Sequence, residues 1–250
     1  MTSAFSPQQV LAMERAAARA WPPLEAADIV GWTWRCSGGG SRRANSLLPL
    51  GFAGGDVELA IADAEARYRA RGLRSYVQVS SIATPVDLDA RLAARGYALE
   101  EPCLLLAKAL TPTPMPRDVE VLDAASADWL AVYCETLDAV RRLAAPPQLA
   151  RVPAQKAFFV VRRDGVALAS ALGVLSPDGM VIVECVATRA AARRMGAARL
   201  VMDALESWAA AHGGSFVALQ VVTGNAPARA LYAKRGYAAA GRYHYRWKDV

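Results

Sequence analysis

Between Arg189 and Ala198 the chain places three arginines, one glycine, one methionine and five alanines. This stretch lies between a strand-like run, Met180 to Thr188, and a helix-like run, Ala197 to Ala211. A loop that ends on a helix N-terminus presents unpaired N–H groups and the positive end of the helix dipole, which together suit an anion. Gly196 sits where the backbone must come close to a ligand, and Arg193 and Arg194 add positive charge beside it. A phosphate or pyrophosphate is the ligand such a place predicts.

A second group of interest precedes the loop. Glu184 stands alone in the apolar run Val181 to Val186. A carboxylate in such a run costs several kcal/mol unless it is paired or protonated. Two readings follow: a general base beside the anion site, or a salt bridge to an arginine. Strict alternation would turn Cys185 to the face opposite Glu184, away from any chemistry there.

The elements that must position these residues fall into two series. The first predicts a helix from Pro7 to about Ala20, a strand over Ile29–Cys36, a turn at Ser37 to Gly40 and an extended stretch over Ser41–Leu48. A helix over 57–71, with Asp56 as its N-cap, leads to a strand over Ser75–Ser80, a short helix over Val86–Arg95 and a strand over Leu99–Leu110. Prolines 112, 114 and 116 then make a stiff connector. The expected division is 1–111, a linker at 112–117, and 118–250. The second series opens with a short strand over Val119–Leu122 and one or two helices within Ala127–Leu143. Strands over Ala157–Arg162, Val166–Leu175 and Met180–Thr188 follow, joined by the turn signals Asp164-Gly165 and Asp178-Gly179. After the loop come the helix to Ala211, a strand over Phe216–Val222, a short helix over Ala226–Arg235 and a last strand over Ala238–Trp247.

The two series match. Arg95-Gly96-Tyr97-Ala98 recurs as Arg235-Gly236-Tyr237-Ala238, and Val77-Gln78-Val79 parallels Leu219-Gln220-Val221. The offsets are 140 and 142 residues, and the second places Gly54 opposite Gly196 and Gly51 opposite Arg193. The first places Leu92 opposite Tyr232. A duplicated fold is expected, with a degenerate first copy.

Arg193-x-x-Gly196-x-Ala198, set between a strand and a helix, resembles the pyrophosphate loop of the GNAT N-acetyltransferase superfamily (Gln/Arg-x-x-Gly-x-Gly/Ala). The segment from Asn225 to Tyr237, with Leu231-Tyr232 and Gly236-Tyr237, resembles that superfamily's second signature. Together the two signatures cover about Val119 to Lys248. Ala190 departs from the proline common in this loop.

The resemblance implies a mixed α/β (α+β) fold of two GNAT-like lobes, each a mostly antiparallel mixed sheet flanked by helices. It implies acetyl-CoA as co-substrate, held by Arg193, Arg194, Met195, Gly196, Ala197 and Ala198. Val186 and Thr188 would offer backbone to the pantetheine arm. Asn225 would bond that arm or only cap its helix. Tyr232 is implied as the general acid toward the departing thiolate, the alternative being a tyrosine buried on an amphipathic face. Glu184 is the candidate base for direct attack by a primary amine in a ternary complex. Tyr133 and Glu135 are weaker candidates for contact with the acceptor. Arg42, Arg43 and Asn45, in a stretch resembling N-terminal halves of some bacterial tandem GNAT proteins, either touch substrate or form a surface loop. The rival expectation is an acyl-CoA sensor without turnover.

Composition bounds the rest. The net charge of +6 is scattered, and no basic run with interleaved aromatics suggests nucleic-acid binding. Cys36, Cys103, Cys134 and Cys185 have no metal spacing and only two histidines occur, so neither a metal site nor a disulfide framework is expected. The N-terminus lacks a signal peptide's apolar core, and no apolar run would span a membrane. A cytoplasmic protein is expected, acting on a small-molecule amine or a peptide or protein amine, with a homodimer compatible with the sequence.

Overall fold

A computed structural model describes residues 5–250. Helix α1 (Pro7–Ala20) starts in a reciprocal capping box between Ser6 and Gln9. Strands β1 (Glu25–Ile29) and β2 (Trp32–Cys36) form a hairpin where one strand is expected from sequence. The turn at Val30 and Gly31 has both φ angles positive. A Cβ on Gly31 would lie 1.9 Å from the Gly51 carbonyl oxygen, so only glycine fits that turn.

A single 3-10 turn, Arg42–Ala44, replaces most of the extended stretch expected after it; only Leu47 and Leu48 pair with neighbouring strands. Then come α2 (Val57–Arg69), β3 (Ser75–Ser80), α3 (Leu88–Ala94) and β4 (Ala98–Ala109). The proline segment leads to β5 (Val119–Leu122), α4 (Ala127–Glu135) and α5 (Ala139–Ala150). Helix α5 runs on through Pro146 and Pro147. Gln148 and Arg151 hold its end by donating to the Pro22 carbonyl.

The chain continues with β6 (Lys156–Arg163), β7 (Val166–Leu175), β8 (Met180–Thr188), α6 (Ala197–Ala211), β9 (Phe216–Val222), α7 (Ala226–Lys234) and β10 (Ala238–Lys248). No helix among the described residues is long and apolar enough to cross a membrane.

The expectation of two lobes with separate sheets is corrected. One eight-stranded sheet runs in the order β3-β10-β4-β9-β8-β7-β6-β5, antiparallel except for the β8–β9 pair. The last strand of each series crosses to the other: β4 pairs with β9, and β10 pairs with β3. Strand sequences carry the in–out alternation but not the identity of the partner, so this exchange is silent in the sequence.

Helices cover both faces. Alpha-helices 1 and 4 bury Met13, Ala17, Trp129 and Val132 against Phe158, Leu172 and Ile182 on one face. On the other, α6 buries Val201, Leu205 and Trp208 against Phe159, Val181 and Val217. A third core packs Trp32, Trp34 and Tyr68 under α2 and α3.

The duplication is visible in side-chain detail. Gly96 and Gly236 share a φ of +82°. The Tyr97 amide donates to the Leu92 carbonyl as the Tyr237 amide does to that of Tyr232. Arg95 pairs with Glu65 of α2 and Arg235 with Glu206 of α6.

Beneath α1 lies a buried polar cluster that the sequence does not announce. Arg35 donates to the Ser46 carbonyl, the Ser46 hydroxyl and Gln78, and Gln78 donates to Glu14 at 3.4 Å. Glu14 Oε1 has no partner among the described residues. Burial pushes the Glu14 carboxyl up from 4.5 to about 7, against the pull of Arg35 and Arg43.

The native state therefore holds a proton at Glu14 that the unfolded chain releases above about pH 4.5. This contribution to stability is complete below that pH and is lost as pH rises through about 7. Glu14→Gln removes the titration. Its stability relative to the parent protein should rise between pH 4.5 and 8 by an amount on the order of 3 kcal/mol. Urea denaturation across that range checks it, and parallel pH profiles for the two proteins would refute it.

Candidate functional site

The site begins where two parallel strands part. Met180–Val183 of β8 pair with Phe216–Leu219 of β9, and beyond Val183 the ladder ends although both strands continue. The cause lies on the other edge of β8, where the register to β7 slips between Leu172↔Glu184 and Ser170↔Ala187. One extra residue in β8 makes a β-bulge, and Cys185 lies in it with a φ of +55°.

The bulge overturns the alternation expected here. Cys185 packs with Tyr133 against the core under α1 and α4, while Val186 packs against the core under α6. Burial, then the charge of Glu184, pushes the Cys185 thiol up, which keeps it protonated. Half-buried Val186 and Thr188 lie on the stretch of β8 whose β9-facing edge has no strand partner.

After Thr188 the loop makes a 3-10 turn, Ala190–Ala192, and enters α6. Glu135, a candidate for acceptor contact by sequence, instead anchors this loop. One of its oxygens accepts from the Ala190 amide and the other pairs with Arg189, both at 3.0 Å. Arg189 also donates to the Ala167 carbonyl.

Arg194 and Gly196 both have positive φ, +66° and +82°. Among the described residues no acceptor faces the amides from Arg194 to Arg199. A Cβ on Gly196 would meet nothing within 4 Å, so the space above it is open and its glycine answers to the backbone angle. Arg193 and Arg194 are exposed and have no ion-pair partner among the described residues. Met195 is half exposed, Ala197 is buried at the start of α6 and Ala198 is half-buried.

The corresponding helix start in the first copy is different. Alpha-helix 2 is capped by Asp56, whose carboxylate accepts from the amides of Glu58 and Leu59. The N-caps align Asp56, not Gly54, with Gly196, and hence Ala53 rather than Gly51 with Arg193; the 142-residue offset misplaces them by two positions. A carboxylate already fills the anion position there.

Glu184 is buried, and both its oxygens are bound by the guanidinium of Arg43. Of the two sequence readings, the arginine salt bridge is the one present. Arg43 also donates to Gln220 at 3.2 Å and stacks over Trp21. Burial would lower its pKa, but contact with Glu184 outweighs this and raises it well above the ordinary value. Arg43 is thus not on a surface loop, and nothing in the local sequence marks its partner 141 residues away.

The neighbouring residues of that loop serve the fold. Asn45 accepts from the amides of Ser37 and Gly39 and donates to the carbonyls of Gly39 and Ser41, and Arg42 pairs with Glu100.

Tyr232 is buried on α7, its ring 5.6 Å from that of Tyr237. Its hydroxyl has no hydrogen-bond partner among the described residues. Burial, then the charge of Glu184, pushes it up to about 12, so it holds its proton at neutral pH. Asn225 caps α7, its Oδ1 accepting from the Ala228 amide. A cavity of about 450 Å3 opens beside the parted strands, between the Arg42–Arg43 turn, α4, α5 and the ends of β9 and β10. Tyr133 and Gln220 line it.

The family model described as "Probable histone acetyltransferase Rv0428c C-terminal" matches residues 8–246. The chain belongs to this family, within the GNAT superfamily. It is 30% identical over 247 residues to an uncharacterized N-acetyltransferase, YobR, of Bacillus subtilis, covering 94% of this chain and 97% of that one.

Two solved structures share the fold of this GNAT chain. A GCN5-related N-acetyltransferase from Kribbella flavida superposes with a TM-score of 0.74 at 20% identity, over 96% of each chain. A tandem GNAT protein from the clavulanic acid biosynthesis pathway superposes with a TM-score of 0.67 at 13% identity, over 95% of this chain and 87% of the other. The strand parting, the loop and the helix start lie within the matched residues.

Arg193→Glu places a negative charge beside the free amides without touching a packed side chain. Affinity for coenzyme A should fall at least tenfold while the melting temperature holds. Isothermal titration together with a thermal melt checks both, and unchanged affinity would refute the anion assignment.

Proposed function

We propose that this chain transfers an acetyl group from acetyl-CoA to a primary amine, with both substrates bound together. The observation that carries this reading is the free edge of β8 leading, through the loop after Thr188, into a helix start whose amides have no acceptor among the described residues. Acetyl-CoA supplies the activated thioester, an anionic pyrophosphate and a chain of amides. The amides from Arg194 to Arg199, with the Arg193 and Arg194 side chains, suit the pyrophosphate. The backbone of Val186 and Thr188 suits the pantetheine amides in the way a neighbouring strand would. Asn225 caps its helix through Oδ1 and keeps its NH2 group for a carbonyl.

Tyr232 meets the requirements of a general acid. It is protonated at neutral pH, its hydroxyl has no protein partner, and it lies within the electrostatic reach of Glu184. Glu184 is the proton acceptor for the incoming ammonium. Each carboxylate oxygen keeps a second lone pair while bound to Arg43, so accepting a proton does not require that bond to break. Arg43, which lines the cavity, fixes the buried carboxylate behind it in one orientation.

Steady-state kinetics test these roles. Tyr232→Phe and Glu184→Gln should each lower kcat about 10²-fold, the usual scale for general acid–base catalysis, with the Kd for acetyl-CoA unchanged. A parent protein that binds acetyl-CoA yet releases no thiol with a broad panel of amines is instead an acyl-CoA sensor. Full activity in both variants would refute the assigned roles.

A further inference from the structure

The cavity beside the parted strands has walls of one charge. Among the described residues, Arg42, Arg43, Arg141 and Arg151 line it and no Asp or Glu does. The carboxylates that pair with these arginines lie behind the walls. Glu184 is buried beneath Arg43, and Glu100 and Asp138 meet Arg42 and Arg141 outside the lining. Arg151 has no carboxylate partner among the described residues; it donates to the carbonyls of Pro22 and Pro147 and to Gln148. The Arg141 pair is a half-exposed contact at 3.4 Å between residues three apart, of a kind that contributes little and yields readily to another anion.

Trp21 and Tyr133 complete the walls, giving the cavity a flat apolar component. A cationic amine with no other charge meets repulsion there, and a lysine-rich peptide meets more. An oxyanion on the same molecule finds guanidinium groups, which bind carboxylates and phosphates through charge-assisted hydrogen bonds.

We propose that the acceptor is a small primary amine that also carries a carboxylate or phosphate, held through that group by the arginine wall with Arg141 as its most available contact. The inference rests on the acyl-transfer reading for its chemistry but on the cavity alone for its charge preference. It places lysine-rich tails among the poor acceptors.

The test pairs molecules that differ only in the anion: aromatic α-amino acids against their decarboxylated amines, and phosphoethanolamine against ethanolamine. A lysine-rich peptide is the third arm. Binding is measured by calorimetry with and without acetyl-CoA, and transfer by thiol release. The anionic members should bind and react at least tenfold better than their partners and the peptide. Arg141→Glu, on a half-exposed helix position, should abolish that preference while leaving acetyl-CoA affinity unchanged.

Equal or better use of the decarboxylated amines or of the peptide would overturn the proposal. So would a preference untouched by Arg141→Glu, or no binding of any anionic member at millimolar concentration. Binding of anionic amines without thiol release would sustain the charge preference and sink the transferase reading instead.

Discussion

The reciprocal exchange of β4 and β10 is the constraint on which this molecule depends. Each strand leaves its own copy of the repeat and is hydrogen-bonded along its length by the other copy. Neither copy closes its sheet alone. The exchange makes the order β3-β10-β4-β9 symmetric about its centre, because β3 corresponds to β9 and β4 to β10. One rigid sheet then sets the distance from the Arg42–Ala44 turn to the bulge in β8, and Arg43 spans it to reach Glu184. A buried ion pair is a poor source of stability, since desolvation cancels most of its attraction. What this one supplies is geometry: a buried carboxylate held in one orientation behind the cavity wall by an arginine from the other copy.

The two copies keep one frame and differ where charge is handled. The Arg-Gly-Tyr corners superimpose in φ, in amide partners and in the arginine–glutamate pair that ties each corner to its long helix. Leu92 stands where Tyr232 does, with no hydroxyl to offer. Asp56 caps α2 with its own carboxylate, whereas Gly196 starts α6 with no side-chain cap. A side-chain cap of this kind contributes about 1 kcal/mol to its helix. The second copy forgoes that contribution at α6, and the free amides it leaves are what an external anion can use.

Local signals were legible because they are local. The loop from Arg189 to Ala198, the Asn225 and Tyr232 segment, the repeat and most element boundaries each follow from a few neighbouring residues whose periodicity or turn chemistry is direct. The helix started by Asp56 needed only its cap. What the sequence did not disclose is long-range or lies in register. Alternating strands read the same whichever strand they join, so the exchange was invisible and two separate sheets were expected. The bulge at Cys185 adds one residue to a run whose only polar member is Glu184, and no glycine marks it. Arg43 sits among Ser, Arg, Ala and Asn, a composition that reads as a loop. Its burial is decided by a partner 141 positions on. Glu14 is buried only because α1 packs across the sheet, a contact that its neighbours in sequence do not signal.

The bulge also explains why the site can exist in an otherwise well-paired sheet. A backbone group buried without a partner costs free energy, so strands seldom part inside a core. Here they part at the end of a parallel pair only four residues long. The strain at Cys185, a non-glycine residue at positive φ, is the local cost of holding the edge open. Sequence changes that would let β8 regain regular pairing with β7 therefore act against the site even where they would favour the sheet.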